Sequence, residues 1–168
     1  MTLELNKALC ARFPLLFQRH GKPIPDFGLA VGDGWHGLLE TLCELLYAPY
    51  VQARDAYERA RKNEGTAPYR GAAVVTAVDV ERARLAMAEA EAQLPRVVQV
   101  KEKFGTLRFY ADRATEQAYA YINFAEHMSG RVCEECGAPG RTRGRGWIRT
   151  LCDTHHAEQE ARRLAQGF

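Results

Sequence analysis

Cysteine and histidine cluster in the stretch CEECGAPGRTRGRGWIRTLCDTHH, residues 133–156, which holds three of the five cysteines and two of the five histidines in the chain. The stretch opens with a Cys-x-x-Cys pair and closes with a Cys-x-x-His pair. Thiolate and imidazole groups in two such pairs are typical of tetrahedral zinc, whereas calcium and magnesium prefer oxygen ligands. His156 competes for the fourth position, but the matching spacing of the two pairs favours His155. The sequence therefore predicts one zinc ion with four ligands: Cys133, Cys136, Cys152 and His155.

A zinc ion with four protein ligands has no open coordination position, and a catalytic zinc needs one for water. The predicted site is therefore structural, and we expect a non-enzymatic protein. The sequence LCDTHH also resembles the closing piece of HNH-type nucleases, which need a histidine-bearing catalytic element between the two ligand pairs. Residues 137–151 contain no histidine and no acidic residue, which argues against nuclease activity.

Positive charge is concentrated between the two ligand pairs. The whole chain carries a net charge of only +2, and residues 131–168 hold seven arginines against five acids, so the excess lies entirely in this segment. Three interpretations stay open: a solvated loop that offsets the negative thiolates, a contact with nucleic acid, or a contact with an acidic protein surface. The candidate partner-contact residues are Arg141, Arg143, Arg145, Trp147 and Arg149.

The bulk composition is that of an ordinary globular protein, with 46% hydrophobic and 26% charged residues. No apolar run approaches the roughly 20 residues of a membrane span, and the segment MTLELNKALC lacks the parts of a signal peptide. Five cysteines cannot all pair internally, and clustered cysteines in a reducing compartment more often hold metal than each other. We therefore expect a cytoplasmic protein.

Apolar periodicity predicts an α+β fold that is mostly helical. A leucine-rich helix follows GDGW (32–35), where we expect a turn and a helix cap at Asp33, between two glycines that tolerate unusual backbone angles. Alanine-rich seams then predict a helical hairpin at about 48–95, whose second arm starts with a capping box at Thr76 and Asp79. This hairpin is either a structural strut or an arm that contacts a partner.

The β element is predicted by the alternating residues of VVQVKEKFGTLRFYAD (97–112), with Gly105 at a tight turn or a bulge. A helix from Thr115 to about Ser129 follows. We expect an α+β body over residues 1–130 and a zinc-binding module of zinc-ribbon or treble-clef type over residues 131–168.

Three separated blocks resemble a family of small phage and prophage proteins: GDGW with its leucine-rich helix, VKEKFGTLRFY, and CEECGAPG…GWIRTLCDTH. The resemblance spans residues 32–46, 98–110 and 126–155, and the predicted hairpin looks like an insertion between the first two blocks. It implies a phage or prophage origin and action in the cytoplasm of a bacterial host cell. Small phage proteins of this build often dock on a host protein or protein–nucleic-acid complex, for example as anti-CRISPR inhibitors of host defence.

The finger alone is also similar to the zinc finger of DksA/TraR-type RNA polymerase regulators, through Cys-x-x-Cys-Gly and the second pair downstream. The alternative function is a direct nucleic-acid-binding or transcription-regulating zinc-finger protein, which would use the candidate contact arginines and Trp147.

Overall fold

The computed structural model of the chain describes residues 1–24, 27–144 and 146–166. Within these residues the chain forms five α-helices and three two-stranded antiparallel sheets, which confirms the predicted α+β fold. In chain order the elements are α1 (Leu3–Arg12), β1 (Gln18–Arg19), β2 (Lys22–Pro23), α2 (His36–Lys62), α3 (Ala77–Ala92), β3 (Arg96–Lys103), β4 (Thr106–Asp112), α4 (Glu116–Ser129), β5 (Arg141–Arg143), β6 (Arg149–Leu151) and α5 (Asp153–Ala165).

The leucine-rich helix and the first arm of the hairpin form one continuous helix, α2, of 27 residues. The sequence predicts a hairpin that starts at about residue 48, but the helix passes through Pro49 without a break. Proline has no N–H group, so the Leu45 carbonyl lacks its helical donor. Leu45 and Pro49 are both exposed, so water can bond to this carbonyl. The first half of α2 belongs to the core, where Leu39, Leu42 and Leu46 are buried.

The second arm, α3, has the capping box that the sequence predicts. The Asp79 amide donates to the Thr76 hydroxyl at 3.3 Å, and the Thr76 amide donates to the Asp79 carboxylate at 3.0 Å. No residue of α3 is fully buried, and α3 packs on α2 along a narrow line of half-buried side chains. The half-buried positions repeat at helical spacing: Val80, Ala83, Met87 and Ala90.

Replacing Thr76 with alanine should fray the start of α3, because loss of an N-cap threonine costs about 1 kcal/mol. We expect amide hydrogen exchange in the first turn of α3 to rise roughly fivefold. The matched control is Thr41→Ala in α2, because the Thr41 hydroxyl donates to the Gly37 carbonyl and caps no helix. Unchanged exchange at the start of α3 in Thr76→Ala would show that the capping box does not hold the arm.

Strands β3 and β4 form a hairpin with a two-residue turn at Phe104 and Gly105, whose φ angles are 54° and 76°. Gly105 therefore lies at the tight turn, and the register shift lies instead between Val97 and Gln99. The hairpin contributes four buried side chains to the core: Val97, Val100, Leu107 and Phe109.

Helix α4 packs on β4 and covers its free edge. The Leu107 amide donates to the Ser129 hydroxyl at 2.8 Å, and the Phe109 amide donates to the Glu126 carboxylate at 2.9 Å. These side chains satisfy two backbone donors of β4, which protects the edge of a two-stranded sheet.

Among the helices of the described residues, none combines the length and the apolar character that crossing a bilayer requires.

Candidate metal centre

The structure brings the four predicted ligands together. Their three Sγ atoms and the ring nitrogen of His155 all lie within 4.8 Å of one another. The Sγ atoms of Cys136 and Cys152 are 3.9 Å apart, and His155 Nδ1 is 3.2 Å from Cys152 Sγ and 3.5 Å from Cys133 Sγ. A tetrahedral ion with Zn–S bonds of about 2.3 Å and a Zn–N bond of about 2.0 Å separates its ligand atoms by about 3.5–3.8 Å. The cluster can therefore hold one metal ion, and its spacing fits a tetrahedral one.

The first ligand pair lies on a tight turn, the knuckle of residues 133–137. The Gly137 amide donates to the Cys133 carbonyl at 2.9 Å, and the Cys133 amide donates to the Ala138 carbonyl at 2.8 Å. Gly137 has a φ of 77°, in the left-handed region that favours glycine. The turn thus brings the thiols of Cys133 and Cys136 to the same side of the chain.

The second ligand pair lies at the start of α5. Cys152 is the N-cap residue, and its Sγ accepts a hydrogen bond from the His155 amide at 3.5 Å. His155 lies one turn into the helix, where its ring meets the three thiols. His156 is not part of the cluster, so the geometry favours His155 as the fourth ligand.

The backbone around the knuckle favours the metal-binding form of Cys133. Burial disfavours ionisation of its thiol, but amides of Cys152, Cys136 and Glu135 outweigh that effect and lower the pKa of Cys133 to about 7. Because the thiolate is the form that binds metal, these amides prepare the site for an ion.

The GDGW turn supports the knuckle by direct backbone contact. The Gly34 amide donates to the Glu134 carbonyl at 2.8 Å. A Cβ atom on Gly34 would lie only 2.5 Å from the Gly137 nitrogen and 2.6 Å from the Cys136 nitrogen. No side chain fits between the two turns, and Gly34 is required for their close approach.

Close approach, and not unusual backbone angles, also explains Gly32. Its φ is −73°, which any residue adopts, but a Cβ atom there would lie 2.6 Å from Glu134 Cγ. Asp33 is not the side-chain cap of α2 that the sequence suggests, because the N-cap residue of α2 is Trp35 and no side chain caps the helix. The Asp33 carboxylate instead accepts a hydrogen bond from the Thr2 amide at 2.6 Å.

Two further hydrogen bonds join the metal-site segment to the body. The fully buried Thr150 hydroxyl donates to the Gly105 carbonyl in the β3–β4 turn at 2.5 Å. The indole nitrogen of the fully buried Trp35 donates to the Val132 carbonyl at 2.8 Å. The three blocks that the sequence analysis singled out therefore meet around the candidate metal site.

Glu134 is a buried carboxylate, only 5% exposed, that sequence reasoning did not single out. It accepts hydrogen bonds from the Gly32 amide at 3.1 Å and from Arg149 at 3.2 Å, and Arg149 also pairs with Glu135 at 2.7 Å. No local pattern marks Glu134, because its partner Gly32 lies 102 residues away in the chain. The ion pair fastens β6 and the knuckle together.

Replacing Arg149 with glutamine should destabilise the protein by about 3 kcal/mol, because it leaves the buried Glu134 carboxylate without its cation. Chemical denaturation should show the loss as a lower midpoint. Two controls test the cause. Arg141→Gln, on an arginine whose side chain is 75% exposed, should change the midpoint little. Combining Arg149→Gln with Glu134→Gln should recover much of the stability, and a double variant as unstable as Arg149→Gln alone would contradict the ion-pair explanation.

The candidate contact residues lie in different surroundings. Arg149 is held by the two glutamates, and the Arg143 side chain is 12% exposed and paired with Asp153. The side chains of Arg141 and Trp147 are each about three-quarters exposed. Arg145 lies outside the described residues.

The two remaining cysteines, Cys10 and Cys43, belong to the apolar core. Burial raises the pKa of the Cys43 thiol, so this group stays protonated. Within the part of the chain that the structure describes, the cluster at the knuckle is the one group of His, Cys, Asp and Glu residues compact enough to hold a metal ion.

Comparisons with protein-family models, with curated proteins and with solved structures found no match to this chain. What the site does must therefore be inferred from the chemistry and placement of its own residues.

Proposed function

We propose that the chain binds one structural zinc ion through Cys133, Cys136, Cys152 and His155. The observation that supports this proposal is the set of four ligand atoms within 4.8 Å of one another, of which three separations, 3.2, 3.5 and 3.9 Å, are close to those around tetrahedral zinc. Three thiolates and one imidazole are the soft donor set that zinc prefers. Four protein ligands leave no position for a reacting water, which supports a non-enzymatic role.

We further propose that the zinc module, residues 131–168, docks on a host macromolecule, a protein or a protein–nucleic-acid complex. Two features support docking at this end of the chain: Trp147 is 75% exposed, and α5 has no buried residue. A large exposed aromatic side chain of this kind is typical of the anchors of binding surfaces. The resemblance of the three blocks to phage and prophage proteins supports a bacterial cytoplasm as the setting and inhibition of host defence, such as anti-CRISPR activity, as the role.

The docking proposal is tested by capturing host proteins and nucleic acids from a bacterial lysate with the purified chain. Trp147→Ala should lose the captured material, because it removes the exposed anchor. The matched control is Tyr69→Ala, on an aromatic residue that is 72% exposed but lies between α2 and α3. Equal capture by Trp147→Ala and the unaltered chain would contradict docking through the zinc module.

The second candidate is direct nucleic-acid binding, which Arg141 and Trp147 favour because both are largely exposed. Nuclease treatment of the lysate separates the two candidates. Capture that survives the treatment supports a protein target, and capture that the treatment abolishes supports the second candidate. In the latter case affinity should also fall steeply with salt concentration.

A further inference from the structure

A cleft of about 790 Å³ opens between Arg143, Gly144 and Trp147 on one side and one face of α5 on the other. Its lining includes His156, Arg162 and Arg163 on the helix side. Clefts of this volume are typical of small-molecule and cofactor sites. The lining differs from the arginine set that the sequence suggested, because Arg141 and Arg149 are not part of it.

Two buried polar atoms in this lining have no hydrogen-bond partner: Nε of Arg143 and Nδ1 of His156. A buried polar group without a partner is costly, and native proteins usually supply one from the chain, from water or from a ligand. The Arg143 Nε–H group is a charged donor, so the partner that best satisfies it is an anion.

The helix side of the cleft is formed by one face of α5, on which His156 and Gln159 are half-buried. His156, Gln159 and Arg163 follow each other at steps of three and four residues and so share one face of α5. No residue on α5 is fully buried, so the described part of the chain uses none of this face as core.

We infer that this cleft binds a nucleotide unit, with its phosphate on Arg143, Arg162 and Arg163 and its base stacked on Trp147. Guanidinium groups bind phosphate through charge-assisted hydrogen bonds, and exposed aromatic side chains stack on bases. The nucleotide comes either from a single-stranded nucleic acid or from a free nucleotide, which share this chemistry.

The acidic neighbours of these arginines do not block the cleft. Arg143 pairs with Asp153, Arg163 with Glu160 and Arg162 with Glu158. The Asp153 side chain is 88% exposed, and the side chains of Glu158 and Glu160 are 49% and 42% exposed. Glu160 also lines the cleft, but ion pairs of this exposure are weak and can yield to a phosphate. Each guanidinium has five donors, so Arg143 can keep Asp153 and still have donors for a phosphate.

Tryptophan fluorescence reports this binding directly, because the two tryptophans differ. Trp35 is fully buried, and Trp147 is 75% exposed and should emit at longer wavelength. The zinc-loaded protein is titrated with a single-stranded oligothymidylate of about 15 nucleotides, which spans the usual site sizes. We expect quenching of the long-wavelength emission, and loss of that quenching in Trp147→Phe while the oligonucleotide still binds.

Substitutions in the cleft test the phosphate contact. Arg143→Gln and Arg163→Gln should each weaken binding roughly tenfold, and Trp147→Ala should do the same. Arg131→Gln is the matched control, because Arg131 is an exposed arginine of the same module that does not line the cleft. It should change affinity by less than about twofold. Equal weakening by Arg131→Gln and Arg143→Gln would show only general attraction of a polyanion and would overturn the site.

The source of the nucleotide follows from parallel titrations with thymidine monophosphate, inorganic phosphate and a duplex of the same length. Quenching by the monophosphate at the same concentration as the oligonucleotide assigns a free nucleotide, and much tighter oligonucleotide binding assigns a single strand. If neither the monophosphate nor the oligonucleotide quenches the emission, the inference is overturned.

This inference rests on the proposed function, because it identifies what the zinc module contacts. The two fail in different ways. If Trp147→Ala loses its host partner but no nucleotide binds the unaltered chain, docking stands and the nucleotide assignment falls.

Discussion

Replacing Cys152 with serine is expected to abolish metal binding and to unfold the C-terminal segment. Binding of a structural zinc supplies about 10–16 kcal/mol in small zinc domains, which is comparable to the whole stability of an ordinary domain. The segment has few other means of support, since Cys133, Thr150 and Leu151 are its only fully buried side chains among the described residues of β5, β6, α5 and the knuckle. Elemental analysis should fall from one zinc per chain to almost none.

The damage should also reach the body of the protein. The knuckle lies on the GDGW turn through Gly34, and the Thr150 hydroxyl bonds to the β3–β4 turn. We therefore expect faster hydrogen exchange at both turns and a fall in the melting temperature of at least about 10 °C. A Cys152→Ser protein that keeps a full equivalent of zinc would contradict the ligand assignment.

The adjacent histidines provide a matched pair of controls. His155→Ala should lose most of the zinc, whereas His156→Ala should keep it, because His156 lies outside the cluster. The reverse result would assign His156 as the fourth ligand.

The second large effect is expected for Gly34→Ala. The added Cβ would lie 2.5–2.6 Å from two backbone nitrogen atoms of the knuckle. Backbone atoms cannot move aside as a flexible side chain can, so we expect a loss of about 3 kcal/mol, at the upper end for overpacking. Thermal unfolding should show the loss as a fall of roughly 10 °C.

Gly37→Ala is the control for this substitution. Gly37 lies three residues away, at the start of α2, and a Cβ atom there meets nothing within 4 Å. Alanine should be neutral or stabilising at this position because it has the higher helix propensity. A Gly34→Ala protein as stable as Gly37→Ala would contradict the close contact between the two turns.

Local signals explain what could be predicted from the sequence. Two ligand pairs at a fixed spacing predicted the cluster, and the capping box at Thr76 and Asp79 predicted the start of α3. The alternating residues around Gly105 predicted a β element with a tight turn or a bulge at that glycine, and the structure has the turn there. In each case the residues that determine the structure lie within one turn, one strand pair or one helix.

Contacts between distant segments explain what could not be predicted. Gly32 and Gly34 read as flexible turn residues, and their role appears only when the knuckle, about a hundred residues later, lies against them. The sequence suggests that Arg149 belongs to a free basic loop, because residues 137–151 contain no acidic residue. In the structure Arg149 pairs with two glutamates of the knuckle. The sequence also does not show that Pro49 is exposed to solvent, where an α-helix can continue through a proline.

X-ray absorption at the zinc edge of the purified protein tests the central claim most directly. The coordination proposed here predicts one zinc per chain with three sulfur neighbours at about 2.3 Å and one nitrogen neighbour at about 2.0–2.1 Å. Folded protein that contains no zinc, or zinc surrounded by oxygen and nitrogen alone, would contradict it.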